Sequence, residues 1–134
     1  MSTVKPPANP ESNPRVKAVF DDIRATRQTD FIGNVWKYLA FDAALLENVW
    51  GDIRAVMATE TLIDSKTKEM IYAAVSIANG CDYCIHSHTA QAKARGMTDA
   101  EHAELLQIVA LATKTNSLLN ALHVPIDPVM DAAK

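Results

Sequence analysis

Residues 69–96 read EMIYAAVSIANGCDYCIHSHTAQAKARG, and this stretch holds both cysteines of the 134-residue chain, Cys81 and Cys84. His88 follows the pair by one helical turn. At about 100° per residue, Cys81, Cys84 and His88 fall within about 60° of one another on a helix, so two thiols and an imidazole share one face. Positions three apart on a helix also bring their Cα atoms within disulfide reach, roughly 4.4–6.8 Å, so the pair can close and open without unfolding the segment. The arrangement is a redox device or a metal clip.

The flanking sequence frames the pair with helices. Upstream, Asp64 or Ser65 can cap a helix from Lys66 to about Asn79 that carries Met70, Ile71, Ala74, Val75 and Ala78 on one side. Glu69 lies on the other side, in line with Ala73, Ser76 and Gly80, small residues that let a neighbouring helix come close. Asn79-Gly80 ends this helix, because glycine tolerates the left-handed conformation that closes one. The next helix begins at Cys81 or Asp82 and stops at Gly96. Thr98 and Glu101 form a capping box. It opens a long last helix in which Leu105, Leu106, Ile108, Val109, Leu111, Ala112, Leu118, Leu119 and Leu122 leave little polar face. A helix this apolar needs cover on most sides, and this points to a homo-oligomer.

Residues 1–12, rich in proline, read as a flexible N-terminal arm, and residues 13–134 as a single helical domain. Asn13-Pro14 starts a first helix running to about Arg27, with Val16, Val19, Phe20 and Ile23 on its apolar stripe. A short second helical piece carries Val35, Trp36 and Leu39. A third carries Leu45, Leu46, Val49, Trp50, Ile53, Val56 and Met57 at helical spacing. Trp36 and Trp50 read as core or subunit-contact residues. There is no strand alternation and no hairpin signal, so the expected class is all-α, with about six helices.

Composition narrows the function classes. A hydrophobic share of 49% and a charged share of 22% suit an ordinary globular protein. The net charge of −3 and the absence of a lysine or arginine cluster argue against nucleic acid as partner. No apolar run approaches the roughly 18–20 residues of a membrane span, and MSTVKPPANPESNP holds no hydrophobic signal core. The expectation is therefore no membrane partner and a cytoplasmic location, where a close cysteine pair is more often catalytic or metal-binding than structural.

A free thiol titrates near about 8.5, and the thiolate is the nucleophile. A helix N-terminus favours thiolate, and His88 is placed to accept the proton of Cys84. A carboxylate behind the imidazole would hold its tautomer, and Glu69 is the leading candidate. Glu69 has a second reading, a surface pair with Lys66 or Lys68. His86 reads as a solvated or interface residue, His102 as a surface residue, His123 as a helix-terminal residue, and Tyr72 and Tyr83 as ambiguous. A c-type haem would need histidine where Ile85 stands. Zinc is a rival, since Cys81, Cys84, His88 and Glu69 offer four ligands, although structural zinc sites favour more thiolates.

The pattern Glu69-x11-Cys81-x2-Cys84-x3-His88, continuing through Lys93 to Gly96, resembles the core motif of the AhpD-like alkylhydroperoxidases of the carboxymuconolactone decarboxylase superfamily. A looser likeness extends from about Phe31 to Pro125. The resemblance implies a helical fold assembled as a trimer or hexamer, and reduction of hydroperoxides by thiols with no metal, haem or other cofactor. It implies that Cys84 is the peroxidatic cysteine, Cys81 the resolving one, and Glu69 with His88 the proton relay, the disulfide being reduced by an external dithiol, lipoyl-type in the best-known members. Tyr83 stands where characterised members often carry a further relay histidine. The decarboxylase branch typically lacks the cysteine pair. Two non-peroxidase readings stay in view: a disulfide-switched sensor or binding module, and a zinc-clipped structural protein.

Overall fold

The computed structural model describes residues 1–59 and 61–130. Among these there are six α-helices and no strand. The chain divides into two compact units, Met1–Thr61 and Leu62–Lys134.

The first unit contains α1 (Pro14–Arg27), α2 (Asn34–Leu39) and α3 (Ala43–Ile53). Asn13 starts α1 as its sequence suggests, its side-chain oxygen accepting from the Arg15 N–H at 3.0 Å, with Pro14 in the first turn. All four residues of the expected stripe, Val16, Val19, Phe20 and Ile23, are buried. They form one core with Ile32, Trp36, Ala40, Leu46 and Trp50. The two tryptophan rings meet edge to face, 5.3 Å apart at 85°, a geometry that sets the positive edge of one ring against the negative face of the other. The Trp50 indole N–H donates to Asp22 at 2.7 Å. Both tryptophans are thus core residues. The stripe of α3 is narrower than its spacing suggests: Leu46 and Trp50 are buried, while Leu45 and Val56 are exposed. Beyond Ile53 the chain widens into a π-helical turn, Arg54–Ala58, so residues past that point leave the register that the stripe assumes. Upstream, Pro10–Ser12 form a 3₁₀ turn, and Glu11 accepts two bonds from the Arg24 guanidinium at 2.8 and 3.1 Å.

The second unit contains α4 (Ser65–Asn79), α5 (Asp82–Ala94) and α6 (Asp99–Leu122). Asp64 caps α4, accepting from the Thr67 N–H at 2.9 Å. Gly80 then adopts φ 67°, its N–H bonding to Ile77 O and the next N–H, that of Cys81, to Ser76 O. This is a Schellman ending. Cys81 O in turn accepts from the Ile85 N–H at 2.9 Å and so begins α5. One residue therefore closes α4 with its N–H and opens α5 with its carbonyl. The turn lets α5 pack back along α4 over the small side chains Ala73 and Ser76, which are buried with Glu69. The apolar side of α4 is not the buried one: Ile71 and Val75 are exposed.

Gly96, with φ 95°, ends α5, and the Thr98–Glu101 capping box opens α6, its two bonds measuring 3.1 and 2.8 Å. Only Leu105 of α6 is buried among the described residues of this single chain. Leu106, Ile108, Leu111, Leu118, Leu119 and Leu122 are exposed. His123 closes α6 in the left-handed conformation, the helix-terminal place its sequence position suggests.

Candidate functional site

The site is built where α5 returns over α4. Glu69 projects from the second turn of α4 into the face covered by α5 and is 5% exposed. Its Oε2 lies 2.6 Å from His88 Nδ1. An ionised carboxylate only accepts hydrogen bonds, so against one the imidazole donates from Nδ1, and in a neutral ring of that tautomer Nε2 carries the lone pair. Glu69 Oε1 faces the Arg95 guanidinium, with Nη1 at 3.7 Å. Arg95 is itself held by Gln91, whose side-chain oxygen accepts at 2.6 Å. The two carboxylate oxygens are thus divided between a cation and the imidazole, and the cation offsets part of the cost of burying the charge.

The surface-pair reading of Glu69 is corrected by this geometry. Lys66 instead bonds Glu101 at 2.9 Å, holding that carboxyl below the usual carboxylate range. Small neighbours explain the outcome: Ala73 and Ser76 let α5 approach closely enough to bury the glutamate.

Cys81 and Cys84 are both reduced and half-buried. Cys81 is the residue before the first helical position of α5, and Cys84 sits in its first turn. Burial is the first cause that pushes the Cys84 thiol up, to about 11; its hydrogen bond with Cys81 and the charge of an ionised Cys81 add to this. The expectation that the helix end lowers Cys84 is therefore corrected. Desolvation and a second sulfur at hydrogen-bonding distance both favour the protonated form, so Cys84 is held as a neutral thiol at pH 7. A base that takes the proton as the sulfur reacts would offset this rise.

Two residues join the site that sequence reasoning did not place there. Tyr72, one turn after Glu69 on α4, stacks on His88 with ring centroids 3.6 Å apart and planes 23° from parallel. Its phenol is raised above the ordinary tyrosine value, first by burial and then by the charges of Cys84, Cys81 and Glu69. Arg95 is the other. The signal for both was spacing: Tyr72 lies three residues from Glu69 and Arg95 seven from His88, helical intervals that return to nearly the same face.

Of the remaining histidines, His86 and His123 are exposed, and His102 is partly so. Among the described residues, no three His, Cys, Asp or Glu side chains are gathered so as to hold one metal ion. Glu69 and His88 bond directly to each other, so they do not stand as two separate ligands of a four-ligand zinc clip. No described helix is long and apolar enough to cross a membrane.

The family model of the carboxymuconolactone decarboxylase family matches residues 41–127. The crystal structure of the alkylhydroperoxidase AhpD core from Rhodospirillum rubrum is similar to this chain at a TM-score of 0.92 and 53% sequence identity, over 96% of each chain. No curated protein matches. The matched region contains Glu69, both cysteines and His88, and the chain belongs to the carboxymuconolactone decarboxylase family as an AhpD-like member.

Proposed function

We propose that this protein is a thiol-dependent peroxidase that reduces hydroperoxides through Cys84 and Cys81, with Glu69 and His88 as proton relay. The observation that carries the reading is the buried 2.6 Å contact between Glu69 and His88 on the helix that bears the cysteine pair. The likeness to the AhpD core supports it.

In the first step the Cys84 sulfur attacks one peroxide oxygen and the O–O bond breaks. Sulfur loses two electrons to become sulfenic acid, and the peroxide gains them, leaving as an alkoxide. The thiol proton passes to His88 Nε2 and from there to the alkoxide, giving an alcohol. In the second step the Cys81 sulfur attacks the sulfenic sulfur, an S–S bond replaces S–OH, and the hydroxyl leaves as water with the Cys81 proton. An external dithiol, lipoyl-type by family likeness, restores both thiols by exchange and becomes a disulfide itself. Glu69 stabilises the imidazolium formed between proton transfers.

A second assignment of the cysteines draws on one observation. The causes that raise the Cys84 thiol, burial first and then its bond with Cys81, favour Cys81 as the first nucleophile where no base acts on Cys84. Reciprocal serine variants separate the two.

The exposed leucines of α6 support assembly into a homo-oligomer, for which family likeness suggests a trimer or hexamer. A cytoplasmic setting would keep the pair reduced between turnovers. The test is steady-state consumption of an organic hydroperoxide with dihydrolipoamide, thioredoxin and glutathione offered separately. Consumption in large excess over protein is expected with at least one of them. A single stoichiometric oxidation with none would favour a disulfide-switched sensor.

A further inference from the structure

We propose that Tyr72 is a positioning residue that sets the plane of the His88 imidazole, so that Nε2 keeps one direction through the proton transfers. The inference rests on the relay reading above and adds to it the residue that makes the relay directional.

The need arises from how His88 is held. Among the described residues, its one side-chain hydrogen bond is through Nδ1, to Glu69 Oε2. A ring held at one atom can still swing about that contact, because the terminal torsion of histidine is broad. Such a swing moves Nε2, which lies across the ring, far more than Nδ1. Tyr72 blocks it. Its ring covers one imidazole face with centroids 3.6 Å apart and planes 23° from parallel, leaving no room for rotation toward that side. Both constraints come from α4, where Glu69 and Tyr72 are three residues apart, so the edge and the face of the imidazole are fixed by one rigid element.

The stack also acts on charge. When His88 takes a proton it becomes a cation lying on an aromatic face, an arrangement the ring quadrupole favours. The phenol, raised by burial and by the surrounding negative charges, stays protonated at neutral pH and does not compete as a base. A flat ring is what the role requires. The hydroxyl is not.

The test compares Tyr72→Phe, which keeps the ring, with Tyr72→Leu, which removes it. Two readouts are used: the side-chain NMR resonances of His88, assigned by their loss in His88→Asn, and the kinetics of peroxide consumption. In the wild type, the carbon-bound imidazole protons should be shifted upfield by the stacked ring and the nitrogen signals should report a single Nδ1–H tautomer. Tyr72→Leu should lose the upfield shift, mix the tautomers and lower kcat by about 10²-fold with KM little changed, the scale expected for a misplaced catalytic group. Tyr72→Phe should restore the shift and most of the rate. Wild-type resonances without the upfield shift would overturn the proposal even if Tyr72→Leu failed to fold. So would a Tyr72→Phe variant as slow as Tyr72→Leu, or a folded Tyr72→Leu variant with unchanged kcat. Absence of turnover in the wild type would remove the peroxidase reading alone, and the His88 resonances would still decide the positioning claim.

Discussion

His88 Nδ1 and Glu69 Oε2 lie 2.6 Å apart although 19 residues separate them in the chain. The contact joins α5 to α4 across the turn at Gly80, and it fixes the imidazole one turn after Cys84 on the helix that opens at the cysteine pair. Cys84 is pushed up to about 11, and the proposed relay gives the imidazole Nε2 the task of taking the thiol proton at neutral pH.

The order of the two cysteines should be visible in trapped intermediates. Peroxide treatment of the wild type should give a disulfide between Cys81 and Cys84 within one chain, seen by mass spectrometry as the loss of two hydrogens. Cys81→Ser should accumulate sulfenic acid on Cys84, because the resolving thiol is gone. Accumulation on Cys81 in Cys84→Ser, with none on Cys84 in the reciprocal variant, would reverse the roles.

The exposed leucines of α6 should be covered in solution. Leu111, Leu118, Leu119 and Leu122 are each at least half exposed in the single chain. Light scattering at micromolar concentration should give a mass several times that of the chain, and Leu118→Asp should shift it downward by placing a charge in the apolar contact. A monomeric wild type would contradict this.

In the first unit, Phe20 is 2% exposed and sits in the core with Trp36 and Leu46. Phe20→Ala should cost roughly 3–5 kcal/mol of stability through lost burial and the cavity left behind. Urea titration measures it. A loss below about 1 kcal/mol would mean that the core collapses around the gap.

Much of this structure was legible in the sequence because helix ends and spacing are local properties. Asn13, Asp64 and Thr98 each cap a helix with a short side chain that reaches a free backbone N–H, and each was readable without tertiary information. The Glu69–His88 contact followed from a different signal, a row of small residues that permits close helix approach. What was not legible depends on environment. The rise in the Cys84 thiol comes first from burial, which no spacing reports. Tyr72 and Arg95 become site residues only once α5 lies on α4. The apolar side of α4 is left open, with Ile71 and Val75 exposed, because the carboxylate side is the one that α5 covers. Residues past Ile53 left the α3 stripe because a π turn changes the register.

The most direct test of the relay is the pH–rate profile of peroxide reduction by Glu69→Gln beside the wild type. A thiol raised to about 11 is neutral at pH 7, so attack that depends on free thiolate rises about tenfold per pH unit until that value is reached. Removing the charge of Glu69 weakens His88 as a base and should lower the rate at pH 7 by about 10²-fold or more. The variant should then climb steeply as pH rises, recovering part of the loss by pH 9, while the wild type stays flatter because its base already removes the proton. Superimposable profiles for the two proteins would remove Glu69 from the site.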